Sequence, residues 1–95
     1  MYVSNMISNS GNKVPNQFVI TNGKETTFQS YDSTIARKFE GGVDGVIVET
    51  VTLDPEFYDY SKTTMKYLAR FLGHGIAETR SRIKRGEYKL SSLNK

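Results

Sequence analysis

Apolar and polar positions change period once along this chain, near residue 60. Before that point, short runs of Val, Ile, Phe and Thr are separated by Gly, Asn and Pro, the pattern of strands and turns. After it, apolar residues recur at helical spacing. Residues 1–15 are Ser- and Asn-rich with Gly11 and Pro15, which predicts a loose lead-in whose last residues join a sheet. Gln17 to Thr21, Asn22-Gly23 and Lys24 to Tyr31 then predict a hairpin. A two-residue Asn22-Gly23 loop sets Phe18 opposite Thr27 and sends Phe28 to the other face. A three-residue loop, Thr21-Asn22-Gly23 with Gly23 left-handed, aligns Phe18 and Ile20 with Thr26 and Phe28. One buried face fixes register, so the three-residue loop with its bulge is the expectation.

Residues 32–40 leave two readings open. Ile35, Ala36 and Phe39 fit a helical turn, and they also fit a strand continued through a bulge. Gly41-Gly42-Val43-Asp44-Gly45 predicts a flexible reversal. Val46 to Leu53 is the best strand, with Val, Ile and Thr in most places, and Asp54-Pro55 ends it. Residues 16–54 therefore predict an antiparallel sheet of three or four strands. Tyr60, Thr64, Tyr67 and Phe71 then share one helical stripe, with Met65, Leu68 and Leu72 beside it. Asp59 or Ser61 can cap that helix and Gly73 can end it. A second helix is predicted over Ile76–Arg85, with a thin apolar stripe of Ile76, Ala77 and Ile83, closed by Gly86. Residues 59–86 thus form a helix pair, and 87–95 an extended tail whose Glu87 to Leu90 can return to the sheet edge. The expected fold is a single α+β domain.

The 95 residues are 37% hydrophobic and 12% aromatic, which suits one small globular domain. No cysteine is present, which excludes disulfides, zinc thiolates, iron–sulfur clusters and thiol nucleophiles. No run of about 18 apolar residues offers a membrane span. The start, Met1 to Met6, lacks the basic-then-apolar build of a signal peptide, so a cytoplasmic protein is expected. The net charge of +3 conceals an asymmetry. Residues 1–60 carry four basic and eight acidic residues; residues 61–95 carry nine basic residues against Glu78 and Glu87. A split of this kind often accompanies contact with nucleic acid.

Catalytic inventory is thin. His74, the one histidine, sits between two glycines in the predicted inter-helix turn. No Gly-x-Ser-x-Gly elbow presents a serine. Asp54, Glu56 and Asp59 crowd one segment, but the calcium-loop pattern is absent and helix starts attract acids for dipole reasons alone. Gly41, Gly42 and Gly45 match no phosphate-loop pattern. No metal or cofactor is expected. Of the rings before the helix, Phe57 and Tyr60 suit the core and Tyr58 suits an exposed contact. The positive candidate is the helix pair. A helix, a glycine-bearing turn and a basic second helix match a helix–turn–helix in outline. Counting from Gly73, however, puts Thr79 and Arg82 where that motif wants apolar residues. A turn one residue longer seats Ile83 but puts Arg80 in the other buried position. Arg80, Arg82, Lys84 and Arg85 suit phosphate contact with or without that geometry.

Several short motifs occur in order: Phe28-Gln29-Ser30-Tyr31, Leu53-Asp54, Asp59-Tyr60-Ser61-Lys62-Thr63-Thr64, Lys66-Tyr67, Phe71-Leu72-Gly73, Glu78-Thr79, Ile83 to Tyr88 and Leu93-Asn94. Together they resemble a family of short phage and prophage proteins classed as a domain of unknown function, over most of residues 17–94. Relatives often carry tryptophan where this chain has Tyr58, and its Gly41–Gly45 loop is longer. The resemblance transfers no functional residue; it implies a setting. By analogy with other small phage proteins, it implies a non-enzymatic counter-defence inhibitor of the anti-CRISPR type, acting stoichiometrically on a host nucleoprotein in the host cytoplasm. On that reading Arg80, Arg82, Lys84, Arg85 and Lys89 engage acidic protein surface or guide RNA, with Tyr58, Tyr67 and Tyr88 as aromatic anchors. The alternative is a phage DNA-binding regulator using the same helices. Sheet edges and a thin second helix also leave apolar surface that a homodimer would bury.

Overall fold

The computed structural model describes residues 1–94, so only Lys95 of the predicted tail lies outside it. Among the described residues the chain forms six strands and two helices: β1 (Tyr2–Ile7), β2 (Lys13–Asn22), β3 (Glu25–Ser30), β4 (Ser33–Val43), β5 (Val46–Leu53), α1 (Lys62–Leu72), α2 (Ile76–Lys84) and β6 (Lys89–Leu90). The strands make one sheet in chain order, antiparallel throughout except that β6 runs parallel to β5. The α+β architecture, with its sheet before its helices, agrees with the sequence.

The sheet corrects the strand count from three or four to six. The lead-in is not loose: Tyr2 to Asn5 pair with Phe18 to Thr21. Its return is a turn closed by Ser8 N donating to Asn12 O at 2.8 Å and Gly11 N to Ser8 O at 3.0 Å. Polar Ser4 and Asn5 hid this strand. Asn5 works inside the sheet, its amide donating to Val14 O at 3.1 Å where the register shifts. The sixth strand is the predicted return of the tail.

The β2–β3 hairpin is also corrected. Its loop is the two residues Gly23-Lys24, with Asn22 opposite Glu25. Gly23 takes φ 63° at the first central position, which favours glycine. Val19, not Phe18 or Ile20, therefore faces Phe28. Of residues 32–40, Asp32 lies in the turn and Ser33 to Glu40 resolve as strand, with an irregularity opposite Phe28 and Gln29. The predicted Gly41–Gly45 reversal shrinks to Asp44-Gly45, both at positive φ, the signature of a tight hairpin turn.

One sheet face carries the core. Phe28, Ile35, Ala36, Val51 and Leu53 lie under Met65, Tyr67, Leu68 and Phe71 of α1, with Tyr88 closing one side. Phe28 stacks on Phe71 at 5.7 Å between centroids. Lys38 reaches from the same face to donate to Phe71 O at 3.0 Å, placing a cation at the negative end of α1.

Local chemistry sets the helix ends. Ser61 Oγ accepts from Thr64 N at 3.1 Å and caps α1. Gly73, at φ 81°, ends it, with His74 N donating to Ala69 O and Gly73 N to Arg70 O; this is a Schellman motif. α2 ends the same way through Gly86. Asp54 then fastens the tail. Its Oδ1 accepts from Glu56 N (2.9 Å) and Phe57 N (3.3 Å), and its Oδ2 from Leu93 N (2.8 Å) and the Asn94 amide (2.9 Å). One buried carboxylate thus joins the strand-to-helix link to the C-terminal segment.

Candidate functional site

The basic residues of α2 reach the surface, but most are met by the chain's own acids. Arg80 grips Asp59 with both terminal nitrogens, at 3.0 and 3.2 Å. Arg82 Nε donates to Glu78 at 3.0 Å. Arg85 bonds Glu87 at 2.7 Å through Nε and approaches Glu78 at 3.6 Å. These pairs are open to solvent, so each is weak and exchangeable. Hydrogen bonding from Arg82 is the main reason the Glu78 carboxyl lies below its ordinary range. The bond to Asp59 likewise holds the Arg80 guanidinium further in its charged form. Lys84 and Lys89 are exposed and make no ion pair among the described residues.

The tyrosines divide differently from the sequence expectation. Tyr67 and Tyr88 belong to the core, and Tyr58 is half-buried against it. Burial is the first cause that raises the Tyr88 phenol above its ordinary pKa, partly offset by Arg82. The expectation of a buried Tyr60 is corrected: Tyr60 is 73% exposed. It precedes α1, so the stripe that links it to Thr64 and Phe71 does not reach it.

What the structure brings together is a groove between the helices. A cavity of about 530 Å³ is lined by Asp59, Ser61, Lys62, Met65, Lys66, Ile76 and Arg80. Three cations surround an apolar floor of Met65 and Ile76, against one carboxylate. Lys62 and Lys66 make no ion pair among the described residues. Sequence reasoning fixed on the denser charge of α2 and missed both. The signal was the spacing of Lys62, Lys66 and Arg70, which at i, i+4 and i+8 lie on one helix face. Arg70 is spent structurally: it donates to Ile7 O at 2.7 Å and to the Asn9 side chain, tying α1 to the first hairpin.

The remaining candidates have local roles. Asp54 serves the backbone and Asp59 serves Arg80, and among the described residues no three His, Cys, Asp or Glu side chains cluster as metal ligands. Thr79 is fully buried, its hydroxyl donating to Gly75 O at 2.9 Å. Ile83, one turn on, is partly buried against the core, while Arg80 is exposed. Among the described residues no helix is long and apolar enough to cross a membrane.

The fold and groove define a class: a small α+β domain that presents a helix pair, with a basic inter-helix groove, on one face of an antiparallel meander. The chain belongs to a family of unknown function (DUF8033), whose model matches residues 1–89. No curated protein and no solved structure matches it.

Proposed function

We propose that this protein is a non-enzymatic binding module whose helix-pair groove receives an anionic surface of a macromolecular partner. One observation carries the reading: Lys62, Lys66 and Arg80 line one groove with Met65 and Ile76. Apolar floor and charged rim together are the anatomy of a protein contact, and the unpaired lysines select acidic partners. Arg82, Lys84, Arg85 and Lys89 extend the positive field along α2 and the tail, and Arg82 and Arg85 can exchange Glu78 and Glu87 for a partner's groups. In the phage setting that the resemblance implies, the partner is a host defence nucleoprotein, and the action is stoichiometric occlusion in the host cytoplasm, in the manner of anti-CRISPR inhibitors.

A second reading, a helix–turn–helix regulator of duplex DNA, is favoured by the three-residue turn Gly73-His74-Gly75 between α1 and α2. It requires the arginines of α2 to leave Asp59, Glu78 and Glu87 before they reach bases. The experiment is co-purification from host lysate with and without nuclease, beside titration of the isolated protein with duplex DNA. An inhibitor retains a host complex and binds free DNA weakly. A regulator binds DNA alone, with affinity falling steeply as salt rises.

A further inference from the structure

A second cavity, of about 540 Å³, lies between the β3–β4 turn and the start of α1, within the size range of small-molecule sites. Its chemistry is unlike that of the helix groove. Tyr31 and Tyr60, 57% and 73% exposed, stand among its lining with Asp32, Ser33 and Thr63. Ser30 and Thr64, also in the lining, hydrogen-bond each other at 3.1 Å and hold the turn to the helix.

Tyr31 occupies an unfavourable position. It is the first residue of the two-residue turn that joins Ser30 to Ser33, and its φ is 53°. Glycine or asparagine suits such a place, and a bulky ring there is an outlier. The surroundings hold it: Tyr31 N donates to Asn16 O at 2.7 Å, and the Gln29 amide donates to Tyr31 O at 2.7 Å. The residue is more than half exposed, so core packing does not account for it. Backbone strain that burial does not offset is a feature of ligand sites.

We propose that this cleft binds a neutral saccharide, stacked on Tyr31 and Tyr60. The C–H groups of a pyranose carry partial positive charge and lie well on the negative face of a phenol ring. Hydroxyls that both donate and accept, with one carboxylate acceptor, match a ligand whose polar groups are hydroxyls. Among the described residues the lining contains no Lys, Arg or His, and Asp32 repels phosphates and uronates. Among the described residues it also contains no Asn, Gln or Arg, the bidentate readers of adenine and guanine, which favours a sugar over a purine.

The test is an NMR titration of the full chain with maltotriose, cellotriose and N-acetylchitotriose, with adenosine and glucuronate alongside. At least one of the three neutral saccharides shifts amides of residues 30–33 and 60–64, while glucuronate does not. Tyr31→Gly and Tyr60→Ala each weaken that binding at least tenfold, and Tyr31→Gly melts no lower than wild type because glycine relieves the turn. The proposal is overturned if none of the three saccharides shifts the cleft, if adenosine binds there more tightly, or if Tyr31→Gly keeps wild-type affinity. A Tyr31→Gly variant that melts well below wild type also overturns it, since the ring then serves the fold.

Discussion

Replacing Asp54 with asparagine isolates the polar joint that holds the C-terminal segment to the sheet. The carboxylate accepts four hydrogen bonds, two at each oxygen, all from N–H donors. An asparagine amide keeps one acceptor oxygen. Whichever way it is turned, its NH₂ confronts two donors and loses two bonds. Hydrogen bonds to a charged acceptor contribute about 1.5–3 kcal/mol each. Leu93 is half-buried and Asn94 exposed, so water recovers part of the loss, and about 2–4 kcal/mol is expected. For a domain of this size that lowers Tm by about 10–20 °C. The pH dependence supplies a second signature. Burial raises the Asp54 pKa, but the bonds from Leu93, Asn94, Glu56 and Phe57 together outweigh it and hold the folded value below 3.8. A depressed folded pKa contributes stability that is present above the unfolded value and lost as pH falls through the folded one. Wild type and Asp54→Asn therefore differ most near neutrality and converge below about pH 4. Urea denaturation from about pH 2.5 to about pH 7 reads this directly. A variant within about 0.5 kcal/mol of wild type at neutral pH, or a gap that does not narrow in acid, refutes the reasoning.

Three further outcomes are expected. Gln17 is fully buried, and among the described residues neither amide atom has a hydrogen-bond partner; Gln17→Leu therefore stabilises the fold by about 1–3 kcal/mol in urea denaturation. Ser61→Ala removes the cap on Thr64 N and costs about 1 kcal/mol, read as a lower Tm. On β5, among the described residues, β6 covers only Thr52 and Leu53, leaving an open edge with Val46, Ile47 and Val48 exposed. Wild type is expected to self-associate through this edge in sedimentation velocity and Ile47→Lys to do so less, because an edge lysine opposes strand pairing.

The fold was legible wherever one residue type settles a local choice. Gly73 and Gly86 stop the helices, Ser61 caps α1, and the β-branched run Val46–Leu53 is β5 from end to end. It was illegible where a long-range partner decides. Tyr2–Ile7 is a strand only because β2 offers its edge. The β2–β3 register turned on the loop: Gly23-Lys24 closes it instead of the expected Thr21-Asn22-Gly23, because Gly23 takes the first central position. Part of the candidate site was visible as the basic run of α2, but charge counting cannot show that Asp59, Glu78 and Glu87 meet its arginines. Lys62 and Lys66 were concealed by the apolar face they flank, and only the approach of α2 makes them part of a groove.

The most direct test of the groove as the partner interface is quantitative co-purification from nuclease-treated host lysate. Wild type is compared with the triple variant Lys62→Glu, Lys66→Glu, Arg80→Glu, after circular dichroism confirms that both are folded. The account predicts that wild type retains a host complex in near-stoichiometric amount and that the triple variant loses it. Equal retention by the variant, or a wild-type capture that disappears with nuclease, contradicts the account.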